Sequence, residues 1–156
     1  MRLHLAVSLG FLPFLTTLSA LSVPTSRADE QVASLGDQTI TIDEWDKNDG
    51  TMGLTLNAKI FKTGPVTFSV TNKSIGSMAH EVLVIPAPAD LSALPLEASG
   101  AKVDEDKLEG LEEGVELEPG KSGTKTINLA PGTYMVFCNE PGHFAAGMHE
   151  LITVTK

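Results

Sequence analysis

The apolar and polar residues of this chain alternate in short runs that turn residues separate. In residues 38–45, Ile40 and Ile42 lie on one face, and threonines and an acid lie on the other. Six further runs predict strands by alternation or by continuous apolar character: residues 54–61, 65–71, 81–85, 124–129, 133–138 and 150–154. About seven short strands at this spacing predict an all-β fold, a β-sandwich.

Turn residues mark two of the connections between these strands. Asn48-Asp49-Gly50 predicts a hairpin turn after the first strand, and Ala130-Pro131-Gly132 predicts a turn between the runs 124–129 and 133–138. The first turn, with Glu44 and Asp46 before it, resembles a calcium loop. Its glycine lies one place late and no glutamate closes the loop, so a hairpin explains it better.

Residues 87–114 interrupt the strand pattern. Nine acids lie between positions 97 and 118, against Lys102 and Lys107. Val103, Leu108 and Leu111 form only a weak helical stripe, so we expect a long acidic connection that holds a short helix at most. Its acids are either a solvated face or a docking surface for a partner.

The N-terminal segment has the features of an export signal. Met1 and Arg2 form a short basic start, an apolar stretch follows, and Ser26-Arg27-Ala28 places small residues at a cleavage site. We therefore expect a signal peptide at 1–28, a mature domain at 29–156 and a periplasmic location. The alternative is an uncleaved anchor, since the apolar stretch is almost long enough to span a bilayer.

The composition describes an acidic globular protein. The net charge is −9, and cleavage would leave nine lysines and no arginine against 20 acids, a net charge of −11. This charge argues against nucleic acid and anionic membrane surfaces as partners, because both would be repelled. The single cysteine, Cys138, is unusual in an exported protein, since thiols tend to be oxidised outside the cytoplasm.

Four side chains near the predicted strand ends form a metal-binding set of donors. Cys138, His143 and Met148 follow one another with four residues in each gap, and His80 lies at the start of the run 81–85. Two imidazoles, one thiolate and a weak axial thioether are the donors of a blue-copper site. The soft sulfur ligands suit Cu(I) and imidazole suits both oxidation states, so the set predicts one type-1 copper ion.

Two other interpretations of these residues remain open. Structural zinc prefers more thiolates and catalytic zinc rarely uses a thioether, so zinc explains Met148 poorly. A cysteine-nucleophile hydrolase would use Cys138 and His143, but no orienting residue or oxyanion loop is apparent in the sequence. His149 would point away from Met148 if both lie on a strand, and we expect it not to be a ligand.

The same segments resemble a known family. Residues 130–138, followed by Pro141-Gly142-His143 and Gly147-Met148, are similar to the C-terminal signature of the cupredoxins, the plastocyanin–azurin superfamily. Residues 78–84 resemble the first ligand region of that family, and Tyr134 lies where its members often have a tyrosine corner. The resemblance implies a Greek-key β-sandwich and covers the chain from about residue 39 to its end.

The resemblance also implies residue roles. His80, Cys138, His143 and Met148 correspond to the copper ligands, and their spacing is similar to that of the rusticyanin and auracyanin type. One position departs from the family: the residue after the first ligand is commonly an asparagine that ties the two ligand loops together, and here it is Glu81. A carboxylate cannot donate the same hydrogen bonds unless it is protonated.

These observations predict a small monomeric electron carrier and not an enzyme. The alternative function is a periplasmic copper carrier or copper-resistance protein that uses the same site. We expect a basic redox partner, a cytochrome or an oxidase, to dock at the His143 end, where Pro141, Phe144, Ala145 and Ala146 form an apolar surface. No stable membrane insertion is expected after cleavage.

Overall fold

The computed structural model describes residues 38–156. The predicted signal peptide at 1–28 lies outside the described residues, and its cleavage stays a prediction. No helix in residues 38–156 combines the length and the apolar character that crossing a membrane requires.

The described chain forms two packed β-sheets, as the strand pattern predicted. The first sheet has four strands in the order β2-β1-β4-β7. Its strands are β1 (Gln38–Asp46), β2 (Met52–Leu56), β4 (Gly64–Asn72) and β7 (Ser122–Leu129). β1 runs parallel to β4, and the other neighbouring strands of this sheet are antiparallel.

The second sheet has five strands in the order β3-β9-β8-β5-β6. Its strands are β3 (Ile60–Lys62), β5 (His80–Pro86), β6 (Glu112–Leu117), β8 (Gly132–Phe137) and β9 (His149–Thr155). β5 pairs with β8 in antiparallel register. The first residue of β5 and the last residue of β8 therefore lie at the same end of the sandwich.

Alternating side chains of both sheets form the core between them. In β1 the buried positions are every second residue from Ile40 to Asp46, as a strand with one face on a core requires. A second cluster covers the outer face of the five-stranded sheet, with Leu83, Ile85, Met135 and Phe137 at its centre. Both faces of β5 and β8 are thus buried, which explains their almost continuous apolar sequences.

The prediction of one strand over residues 54–61 was wrong. This run divides into the end of β2 and the start of β3, which lie in different sheets. Asn57 makes the corner, because its backbone N–H donates to the carbonyl of Thr41 and its side chain accepts from the N–H of Thr41. The hairpin predicted at Asn48-Asp49-Gly50 is confirmed between β1 and β2.

The acidic connection is more ordered than its sequence predicted. It contains two three-residue 3-10 helices, Leu91–Ala93 and Glu105–Lys107, and its last part is strand β6, which the sequence analysis missed. The supposed helical stripe is not helical. Val103 is 1% exposed, and it packs with other apolar residues of the connection against the outer face of the second sheet.

Candidate metal centre

Strand ends and one loop bring the candidate ligands together. His80 is the first residue of β5, and Cys138 directly follows β8. His143 lies in the loop after Cys138, and Met148 precedes β9. Because β5 and β8 are antiparallel neighbours, the pairing of these strands places His80 beside Cys138.

Three donor atoms converge at this end of the sandwich. The Nδ1 atoms of His80 and His143 are 3.1 Å apart, and the Sγ atom of Cys138 lies 3.9 Å and 3.4 Å from them, respectively. The centre of the circle through these atoms is about 2 Å from each, which is an ordinary distance from a bound metal to imidazole nitrogen. The side chains are thus arranged to hold one ion.

The ligand loop is closed by backbone hydrogen bonds. The N–H of Cys138 donates to the carbonyl of Met148 at 3.0 Å, and the N–H of Met148 donates to the carbonyl of His143 at 3.1 Å. Gly142 and Gly147 have φ angles of 86° and 102°, in the left-handed region that favours glycine. These turns fold the loop back, so that Met148 is placed beside the two ligands that precede it.

Burial determines the protonation of the donors in the metal-free protein. His80, Cys138 and Met148 are fully buried, and His143 is 9% exposed. Burial lowers the pKa of both imidazoles, so that the rings are neutral at pH 7 and each keeps one lone pair. Burial also raises the pKa of the Cys138 thiol to about 12, and a metal must therefore displace its proton.

Two hydrogen-bonded links support the thiol and its loop. The N–H of Glu81 points to the Sγ atom of Cys138 at 3.5 Å, a backbone bond that any residue except proline could make at position 81. The side chain of Asn139 bonds to both the N–H and the carbonyl of Val103, at 2.7 and 3.0 Å, and donates to Glu105 at 2.7 Å. Asn139 therefore ties the ligand loop to the acidic connection.

Glu81 itself faces the acidic connection. Its carboxyl group is in a cavity that Glu105, Glu113 and Glu116 also line. Burial, followed by the repulsion from Glu105, raises the pKa of Glu81 to about 7. The carboxyl group after the first ligand is thus partly protonated at neutral pH.

The sequence analysis missed two buried acids near the metal centre. Glu44 is fully buried and Asp46 is 6% exposed, and both lie on the inner face of β1. Oδ1 of Asp46 lies 3.8 Å from Nε2 of His80, the ring nitrogen that faces away from the donor triangle. The alternation that starts with Ile40 and Ile42 continues to these two acids, and that signal could have found them.

Two minor expectations from the sequence also have an outcome. The hydroxyl of Tyr134 donates to the carbonyl of Ala130 at 3.0 Å, which is the hydrogen bond of a tyrosine corner. His149 lies outside the group formed by His80, Cys138 and His143. Its ring instead packs edge-on against Phe144, with 5.1 Å between the ring centres.

Comparison with known proteins places the chain in a family. The family of copper-binding proteins of the plastocyanin/azurin type matches residues 43–155. The chain therefore belongs to this family, the cupredoxins, and the donors in its centre fit the copper ion that the family binds. The resemblance inferred from the ligand motifs is confirmed.

Individual relatives agree with this family. Over 40 residues the chain is 50% identical to auracyanin-B of Chloroflexus aurantiacus, a stretch that makes up 25% of this chain and 17% of that protein. A structure of auracyanin B superposes with a TM-score of 0.58 at 22% identity, covering 76% of this chain and 89% of the other. Rusticyanin from Thiobacillus ferrooxidans superposes with a TM-score of 0.53 at 18% identity, covering 77% and 79%. At these identities the structural matches show a shared fold.

Proposed function

We propose that this protein carries single electrons on one type-1 copper ion bound by His80, Cys138, His143 and Met148. The observation that carries the proposal is the convergence of two imidazole nitrogens and one thiol sulfur around a single buried point. When bound, copper supplies the one-electron couple. The mixed donor set suits both oxidation states, which a carrier must hold in turn.

The scaffold favours electron transfer because it restrains the ligands. His80 and Cys138 are attached to paired strands, and the backbone bonds of Met148 fix the loop that carries His143. Ligands that hardly move between the two oxidation states keep the reorganisation energy low. The protein's contribution is therefore to hold four side chains and to exclude water from three of them.

The same burial argues against copper delivery as the main role. A carrier that hands over its metal must let an acceptor reach the ligands, and only His143 has any exposed edge among the four. An electron needs no such access, since it can pass through the partly exposed imidazole. His143 is thus the proposed site of electron entry and exit.

The surface around His143 suits brief contact with a redox partner. Pro141, Ala145 and Ala146 are exposed beside it, whereas Phe144 is half-buried and packs edge-on against Phe137, with ring centres 5.8 Å apart. A small apolar surface favours low-affinity encounters. The net charge of −9 adds attraction for a basic cytochrome or oxidase in the periplasm.

The optical spectrum of the Cu(II) protein tests the proposal. A thiolate in a trigonal copper site gives intense visible charge-transfer absorption, and Cys138→Ser should abolish it. A wild-type protein that binds Cu(II) without colour would refute the type-1 assignment. Stopped-flow reduction by a redox protein, compared with copper transfer to an apo-acceptor, separates electron transfer from copper delivery: fast reduction without metal transfer supports the proposal, and the reverse result supports a carrier.

A further inference from the structure

Two buried polar atoms face each other behind the metal centre, and neither has a hydrogen-bond partner among residues 38–156. They are Oδ1 of Asp46 and Nε2 of His80, which lie 3.8 Å apart. Buried polar groups in folded proteins are nearly always paired. Because each of these atoms lacks any other partner, the pair is expected to close on itself.

The gap between the two atoms is longer than a hydrogen bond, but the difference is small. An N–H···O bond has a separation of about 2.9 Å, so a relative movement of about 0.9 Å would form it. Small rotations of the two side chains are sufficient to close the gap.

The loop between β4 and β5 lies beside the carboxyl group of Asp46. A Cβ atom on Gly76 of this loop would lie 3.3 Å from Oδ2 of Asp46. Asn72 holds that loop, since its side chain accepts from the N–H of Ser74 at 2.8 Å and donates to the carbonyl of Met78 at 3.0 Å. The loop is therefore held beside Oδ2 of Asp46, while Oδ1 faces Nε2 of His80.

A bond at Nε2 has a direct consequence at the other ring nitrogen of His80. A neutral imidazole carries one proton and one lone pair on its two nitrogens. If the Asp46 carboxylate accepts a hydrogen bond from Nε2–H, the lone pair is on Nδ1, the atom that lies in the donor triangle with His143 and Cys138. A carboxylate in this position also makes the imidazole a stronger metal ligand.

We propose that Asp46 is the positioning residue of His80: its carboxylate accepts the Nε2–H bond, directs the Nδ1 lone pair to copper, and by its negative charge favours Cu(II) over Cu(I). The inference rests on the proposed ligation of copper by His80. It adds a residue that the ligand motifs do not include, a carboxylate that is hydrogen-bonded to a copper-ligating histidine.

Three variants separate this role from a general effect of altering a buried acid on β1. Asp46→Asn keeps an acceptor oxygen but removes the charge, and Asp46→Leu removes both while keeping the number and branching of the side-chain heavy atoms. Glu44→Gln is the matched control for placing an amide at a buried acid of this strand, because Glu44 lies on the same face of β1, two residues away. All three are compared with wild type as full-length, copper-loaded proteins.

Nuclear magnetic resonance of the Cu(I) protein, which is diamagnetic, measures the bond itself. In wild type, the nitrogen-15 spectrum should show the proton of His80 on Nε2, in slow exchange with water. In Asp46→Leu that proton should exchange at least about tenfold faster, as expected when the acceptor is lost. Unchanged exchange in Asp46→Leu would overturn the proposal.

The reduction potential measures the effect on copper. Asp46→Asn should lower the affinity for Cu(II) relative to Cu(I) by about tenfold, the lower end of the effect of losing such a partner, which raises the potential by about 59 mV. Glu44→Gln should change this ratio by less than about threefold. An equal change in Asp46→Asn and Glu44→Gln, or none in Asp46→Asn, would refute the role of Asp46.

These outcomes are distinguishable from failure of the proposed function. If wild-type Cu(II) protein lacks the thiolate absorption, copper ligation itself is refuted, and the Nε2–H signal of the copper-free protein still tests the contact between Asp46 and His80. If Asp46→Leu does not fold, the potential of Asp46→Asn decides the question alone.

Discussion

Replacement of Glu44 by glutamine should raise the stability of the copper-free protein relative to wild type progressively as the pH rises. Glu44 is fully buried on the inner face of β1, and neither of its carboxyl oxygens has a hydrogen-bond partner among residues 38–156. Burial, and to a smaller extent repulsion from Glu81, raises the pKa of Glu44 from 4.5 to about 8. Between pH 4.5 and about pH 8, the folded protein therefore keeps a proton on Glu44 that the unfolded chain has released.

The size of the effect follows from these two pKa values. The carboxyl group of Glu44 ionises at pH 4.5 in the unfolded chain, and pH 7 lies 2.5 units above that value. Each of these pH units costs the folded state about 1.4 kcal/mol of stability, because the group stays protonated there. The folded protein is thus most stable with respect to this group below pH 4.5, where Glu44 is protonated in both states. At pH 7 it has lost about 3 kcal/mol of that stability. Above pH 8 the loss approaches about 5 kcal/mol, on the order of the total stability of a small domain.

Urea unfolding of the copper-free wild type and Glu44→Gln between pH 5 and pH 8.5 checks this expectation. The free energy of unfolding of Glu44→Gln, relative to that of wild type, should increase by about 1.4 kcal/mol per pH unit up to pH 8. The unpaired amide of the glutamine costs about 1–3 kcal/mol, but this cost is the same at every pH and leaves the slope unchanged.

An exposed acid provides the control. Glu112→Gln, at the start of β6, should change stability by less than about 0.5 kcal/mol over the whole range. A difference between wild type and Glu44→Gln that does not vary with pH would show that Glu44 is ionised in the folded protein, and the reasoning from burial would be refuted.

Three further predictions concern the metal and the partner. Copper affinity should rise about tenfold per pH unit near neutrality, because burial raises the pKa of the Cys138 thiol to about 12 and binding must release its proton. Calorimetry in buffers of different ionisation enthalpy should detect the release of one proton. A measurement of no released proton would contradict this expectation. Met148→Leu should retain copper and raise the reduction potential, since the thioether donates weakly to Cu(II); a lower potential on voltammetry would mean that Met148 is not axial. Ala145→Lys should slow electron transfer at every salt concentration, whereas replacing the exposed acids Asp106 and Glu109 by amides should slow stopped-flow association with a basic acceptor only at low salt. Unchanged rates in either case would remove that surface from the docking site.

The amino-acid sequence was sufficient to predict the class of fold and the donors of the metal centre. The alternation of apolar residues is local, and it shows which side of a strand faces the core without knowledge of the partner strand. Cys138, His143 and Met148 lie in a single loop, so their spacing already indicated a common site. His80 could be added because the donor set of type-1 copper lacked a second imidazole.

Only the tertiary structure decided what lies opposite these residues. Strand pairing is a long-range property, so the run 54–61 gave no sign that it divides between two sheets, and the acids of β6 hid a strand that pairs with β5. The alternation in the sequence places Glu44 and Asp46 on an inner face. For the same reason, the sequence could not show that His80 lies across from Asp46. Local periodicity determines the direction of a side chain, and its neighbour in space depends on contacts between residues far apart in the chain.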